Sequence, residues 1–224
     1  MTIEVNWCRI TADASYPYIH HKADGKYPLM FNPEIISHPN PKSRYNICPA
    51  FSSVQQYLIR SPYYGSFSFG IDGINFAKSP HLMNLVRPAD ENYGNLDKPY
   101  FQFQVPYLFW SKKEVYLWIE DVPEMFNTNY KNWHIIKGML PIHKIYRPIH
   151  PAIIMKNYND TFKIEREEPL YSVTLFSPHG KIKLIEKEPS EEILVKSISS
   201  TKASAFCPYK WSKSLFSNWI DGVN

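Results

Sequence analysis

Nineteen prolines are spread along the 224 residues of this chain, and they limit the length of every element it can form. Proline fixes φ and removes a backbone donor, so neither a long helix nor a central strand passes freely through it. Only 8 glycines accompany them. The expectation is therefore short elements joined by ordered loops. Aromatic residues make up 16% of the chain. Aromatic and β-branched side chains fit a pleated, half-buried surface, so the short elements are expected to be strands. The hydrophobic share of 44% is enough for a real core. A chain of this length folds as one large all-β domain or two small ones.

Alternation supports the strand reading. Ile3, Val5 and Trp7 share one face of a first strand over residues 3 to 9. In "GSFSFGIDGINF", Phe67 and Phe69 alternate with Ser66 and Ser68, and Ile74 and Phe76 follow Asp72-Gly73, which predicts a hairpin. "YFQFQVPYLFW" sets Phe101, Phe103 and Val105 against Gln102 and Gln104. "EVYLWIE" puts Val115, Leu117 and Ile119 on one face and Tyr116 and Trp118 on the other, so both faces are expected to be covered. Six further short strands are predicted at 133–136, 140–145, 152–155, 162–165, 170–176 and 181–185. Residues 15–47 carry clustered prolines and little periodicity, and read as a long loop of the kind used for binding or assembly. "CPAFSSVQQYLI" spaces Phe51, Val54 and Leu58 as one or two helical turns would.

The chain ends differently. Ser190 is placed to cap a helix, with Glu191 and Glu192 in its first turn. Leu194 and Ile198 are four apart, and Trp211, Leu215 and Trp219 repeat at the same interval before Gly222. The expected fold class is mainly β, an antiparallel sandwich or barrel with C-terminal helices. A single β-rich domain is expected over 1–188, and a helical appendage packed on it over 189–224.

Charge and cysteine content narrow the function classes. Net charge is +4 and the basic residues are scattered, so a phosphate-tracking nucleic-acid surface is not expected. No apolar run approaches the ~18 residues of a membrane span, and the first residues lack the pattern of a signal peptide. Cys8, Cys48 and Cys207 form neither a CxxC pair nor a disulfide framework. A reducing compartment or a capsid interior suits these thiols better than secretion.

Four kinds of chemistry can be weighed. A metal site needs two or three histidines converging with a carboxylate. "HHKAD" offers His20, His21 and Asp24 for that, as in a facial triad of an oxygenase. The bland alternative is loop histidines with ordinary partners. "PIHKIYRPIH" brings His143, Arg147 and His150 within eight residues. Arg147 suits an anion contact, because guanidinium matches phosphate, but a salt bridge or carbonyl contact would use it equally well. An uninterrupted strand would put His143 and His150 on opposite faces, and Pro148 breaks it between them. Cys48 precedes a proline at a possible helix start, which can lower a thiol pKa, though no base accompanies it. No GxSxG elbow, GxGxxG or GKS/GKT loop is present. The aromatic surplus, including Tyr63, Tyr64, Tyr100, Tyr107, Phe109 and Trp110, serves either the core or an interface.

Residues 132–176 run strand, Gly138, strand, turn, strand, then the polar-proline step "REEPLYSVTLF". This layout resembles the C-terminal half of the β-clip proteins, the deoxyuridine triphosphatases and deoxycytidine triphosphate deaminases. The resemblance implies a β-clip-like scaffold that handles nucleotides. It does not imply their activity, because the family's aspartate before the glycine turn and its aromatic after it are replaced by Ile136-Lys137 and Met139. More widely, "CPAFSSVQQYLIRSP", "NWHIIKG", "YRPIH" and "EPLYSV" are similar to an uncharacterised group of phage-encoded and bacterial proteins. That similarity implies a viral or host context.

The leading expectation is a non-enzymatic phage-type β protein, a virion-associated or other protein-interaction module. It would self-associate or take a protein partner, and use no cofactor. Binding or hydrolysis of a nucleotide or small molecule is the alternative, with His143, Arg147 and His150 as ligand contacts. A metal-dependent oxygenase is the third.

Overall fold

The computed structural model describes residues 2–11, 19–20, 55–70, 73–88, 99–122 and 131–206. They form fifteen strands, a 3₁₀ turn at Pro80–Leu85 and one α-helix. The chain is mainly β, as its proline spacing and alternation predict.

Four groups of strands build the molecule. In the first, β1 (Thr2–Thr11) is the hub. It pairs in parallel with β15 (Lys181–Glu186), from Thr2↔Lys181 to Trp7↔Glu186. It pairs antiparallel with β8 (Tyr107–Trp110) and, at its end, with β2 (Ile19–His20). The second group runs β10 (Trp133–Ile135), β12 (Ala152–Met155), β7 (Tyr100–Phe103), β6 (Val86–Pro88). The third runs β11 (Gly138–Pro141), β9 (Tyr116–Glu120), β14 (Pro169–Phe176), β3 (Gln55–Arg60). The fourth runs β13 (Thr161–Ile164), β4 (Gly65–Gly70), β5 (Gly73–Asn75). Every pairing except β1–β15 is antiparallel.

One core joins all four groups. Ile3, Val5 and Trp7 of β1 enter it beside Phe101 and Phe103 of β7, Leu117 of β9, Phe162 of β13 and Val173 of β14. Its centre is aromatic. The Phe162 ring lies 4.9 Å from Phe67, 5.3 Å from Phe101, 5.6 Å from Phe103 and 5.3 Å from Trp133, centroid to centroid. Rings at such separations add about 0.5–1.5 kcal/mol per pair beyond the area they bury. Gly65 is required beside this cluster. Its φ is +140°, and a Cβ there would sit 2.6 Å from Ser79 Oγ, which holds the 3₁₀ turn by accepting the Ser66 N–H at 2.9 Å.

The reverse face of β1 and β8 has its own cover. Cys8, Leu108 and Trp110 meet Tyr146 and, from α1 (Glu191–Phe206), Ile193 and Ile198. Ser190 caps this helix as its sequence predicts, its Oγ accepting the Ile193 N–H at 3.4 Å. Ser197 of α1 is fully buried against the sheet. Both faces of the β1–β8 pair are thus closed, and burial drives the Cys8 thiol up to about 12. A thiol so shielded from ionisation is a packing residue. The region containing Trp211, Leu215 and Trp219 lies outside the described residues.

Two expectations differ from the structure. Residues 55–60 form β3 and not a helical turn, because Tyr57, Leu58 and Ile59 are all buried by pairing with β14. A fully buried strand shows no alternation, so its apolar run mimics a helical one. The strand expected at 140–145 ends at Pro141. There the N–H groups of Lys144 and Ile145 both turn back to the Pro141 carbonyl.

Candidate functional site

The sheet β10–β12–β7–β6 has an apolar inner face and a polar outer one. Register decides which residues share the outer face. Arg87 pairs with Gln102, and Gln102 pairs with Ala152. Side chains alternate along each strand, so Tyr100 and Gln102 share a side with Arg87, Ala152, Ile154 and His134. Their neighbours Phe101, Phe103, Val86, Ile153, Met155 and Trp133 are buried in the core.

His150 completes this face by repairing the sheet. Between β7 and β8 the run Gln104-Val105-Pro106 leaves the ladder, and its backbone donors need partners. The Gln104 N–H donates to the Leu85 carbonyl, and the Ile149 N–H returns to the Tyr107 carbonyl. The Val105 N–H finds no carbonyl and donates instead to His150 Nδ1 at 3.1 Å. An Nδ1 that accepts leaves the ring proton on Nε2 when the imidazole is neutral. Neutral it is: burial, then the adjacent Arg147 and Arg87 charges, push the His150 pKa down to about 3. His150 is thus a donor through Nε2, beside two guanidinium groups. Arg87 is exposed and Arg147 half-buried.

His143 is elsewhere. Its Nδ1 lies 3.0 Å from the Val115 carbonyl oxygen and 3.3 Å from the Val115 nitrogen. The shorter contact is satisfied by Nδ1–H donating to the carbonyl, the opposite tautomer to that of His150. Its ring meets Tyr116 edge-on at 5.4 Å. Tyr116 in turn donates its hydroxyl to Glu114 Oε1 at 2.7 Å, and His179 Nε2 lies 3.2 Å from Glu114 Oε2. These two hydrogen bonds, Tyr116 first, hold the Glu114 carboxyl below its usual range.

His150 and His143 thus serve different backbone segments, and the Arg147 charge acts on His150. The structure corrects the expectation that the two histidines decorate one strand broken at Pro148. Both lie in the connection between β11 and β12, and each ties down the backbone of a different connection, His150 that between β7 and β8 and His143 that between β8 and β9. That connection touches the sheet at Pro148, which bridges to Leu108.

For the metal set, His20 lies in β2, its backbone paired with Ile10. His21 and Asp24 lie outside the described residues, as does Cys48. Among the described residues, no three His, Cys, Asp or Glu side chains converge to hold a metal ion.

Two features had no sequence signal. Lys131 is half-buried over the Trp133 ring, 4.3 Å from its centroid, and donates to the Pro169 carbonyl. Burial lowers its pKa to about 8, against the pull of Glu168 and Asp121. The second is an open depression of about 810 Å³ at the β4–β5 hairpin and the 3₁₀ turn. Phe69, Ile74, Phe76, Pro80 and Met83 line it, with Asn159 at its rim. Met83 is 58% exposed there.

Comparison with protein-family models, with characterised proteins and with solved structures finds no match. Among the described residues, no helix is long and apolar enough to cross a membrane.

Proposed function

We propose that this chain is a non-enzymatic interaction module that self-associates through the β4–β5 corner. The observation that carries the reading is the character of the depression. Its lining contains no charged side chain, so two copies can meet there without like-charge repulsion. The adjoining strand favours the same geometry. Among the described residues β5 pairs with β4 alone, leaving its outer edge without a ladder partner. A Cβ placed on Gly73 would meet nothing within 4 Å, so the sheet face at this end of the strand is uncrowded. An edge strand with free N–H and C=O groups is a template for another strand. Antiparallel addition of β5 from a second copy continues the sheet across a two-fold axis and lays Met83 of each copy on the apolar floor of the other. The viral or host context implied by sequence resemblance suits such a part, as a virion component or a scaffold within an infected cell.

Native mass spectrometry at micromolar concentration tests this. The expected result is a dimer or larger even assembly that Met83→Glu converts to monomer, with its circular dichroism unchanged. A wild-type monomer, or an assembly that survives Met83→Glu, removes the reading.

A further inference from the structure

The polar face of the β10–β12–β7–β6 sheet carries a second recognition surface, independent of the corner described above. We propose that Arg87, Arg147 and the Nε2–H of His150 form a binding site for the phosphoryl group of a small phosphorylated ligand. The three donors come from separate places in the chain. Arg87 stands on β6, while Arg147 and His150 come from the connection into β12. Sheet register brings Arg87 and His150 to one side: Gln104 lies between Leu85 and His150, one step from the Arg87–Gln102–Ala152 row, and Arg147 lies three residues before His150 with its charge acting on that ring.

Two features make this a donor site and not a scatter of surface cations. His150 is held in place from behind, because Nδ1 is committed to the Val105 N–H and the ring cannot flip without orphaning it. Its remaining nitrogen is then oriented by the sheet itself. Arg87 is exposed and makes no ion pair among the described residues, so its fork is available to an incoming anion. Arg147 is already engaged in another contact and contributes its fixed charge from a half-buried position. Gln102, half-buried between the Arg87 and Ala152 positions, is a neutral amide able to donate as well.

Anion chemistry separates the candidates. A carboxylate has two oxygens, which one guanidinium satisfies. A terminal phosphoryl group has three oxygens and carries up to two charges, matching two guanidinium groups and an N–H from different directions. Free phosphate and a phosphate monoester share that chemistry.

The test titrates the full-length ¹⁵N-labelled protein with inorganic phosphate, with adenosine monophosphate and with succinate, at constant ionic strength set by chloride. The Val105 amide and the His150 ring nitrogens are the reporters. Saturable shifts with phosphate and with the monophosphate, and none with succinate, are expected. Tighter binding of adenosine monophosphate assigns a phosphate ester, and equal binding assigns free phosphate. Arg87→Gln should weaken binding about tenfold or more, a loss of about 1.4 kcal/mol. Arg87→Lys should recover part of it, because the charge remains and the fork is lost. Lys163→Gln, on the separate β13 strand where Lys163 pairs with Glu165, should leave binding unchanged. The proposal is overturned if no titrant saturates, if succinate matches phosphate, or if Arg87→Gln binds as wild type does. Arg87 is on the surface, so an unchanged melting temperature will show that the variant is folded.

Discussion

The two faces of the β10–β12–β7–β6 sheet are made by the same backbone and differ in what holds them. The inner face is secured by aromatic contact: Phe101 and Phe103 lie against Phe162, and Trp133 closes the same cluster. On the outer face Tyr100, Ala152 and Ile154 are half-buried, and His150 fixes the backbone beyond β7, its imidazole accepting the Val105 N–H where no carbonyl does. Shape therefore specifies one side and hydrogen-bond geometry the other. The first tolerates no loss of volume, and the second tolerates no change of protonation.

Phe162→Ala should have the largest effect, because it removes the ring that touches Phe67, Phe101, Phe103 and Trp133. A loss of about 3–5 kcal/mol is expected in urea denaturation. A loss below about 1 kcal/mol would mean that the inner face is not closely packed. Tyr171→Phe comes next. Its hydroxyl donates to the Ile149 carbonyl at 3.2 Å in a fully buried setting, and that carbonyl precedes His150. Leaving the acceptor without its donor should cost about 1–3 kcal/mol. The same variant should broaden the His150 ring signals if the two faces communicate through residue 149.

Acid should strike the outer face. The His150 pKa in the fold, about 3, lies below its unfolded value, so the unfolded chain takes up the proton first as pH falls. The stability tied to this group is complete above about pH 6.5 and declines toward pH 3 with a slope of about 1.4 kcal/mol per pH unit. Glu114, whose carboxyl is held low by Tyr116 and His179, adds a loss of the same sign at the acid end of that range. His150→Gln keeps an acceptor for Val105 and carries no titrating group. Its urea midpoint should change less than that of wild type between about pH 7 and about pH 5. Equal pH dependence in the two proteins would assign the acid sensitivity to other groups. The smallest effect is expected from Arg87→Gln, within about 0.5 kcal/mol of wild-type stability. A larger loss would show that Arg87 belongs to the fold and not to a surface available for recognition.

Much of this architecture was legible in the residues. Alternation placed β7, β9 and β13 to within a residue or two, because each has one face on the core; β14 is buried on both faces and was legible because Ser172 and Thr174 interrupt its apolar residues. β3 was not legible, since pairing with β14 buries three consecutive side chains and erases the alternation. The candidate site was legible only in part. Arg147 and His150 stand out within one short segment, yet Arg87 and Gln102 join them only through strand register. The role of His150 depends on a backbone N–H 45 positions away. No local pattern encodes the fact that Val105 would lack a carbonyl partner. Nor does spacing show that His143, only seven residues earlier, would turn its ring to another connection and donate where His150 accepts.

The parallel pairing of β1 with β15 bears on how the molecule comes to exist. Thr2 leaves the ribosome long before its partner Lys181, which follows almost the length of the described chain later. Until then β1 can align with β8, as Trp7 does with Phe109, but its other edge stays open. Contacts so distant in sequence make for slow folding, and a nascent edge bearing Ile3, Val5 and Trp7 is a site for mispairing. β15 works as a clasp: the barrier to self-aggregation closes only after synthesis has passed residue 186, and until then each polypeptide carries that edge exposed.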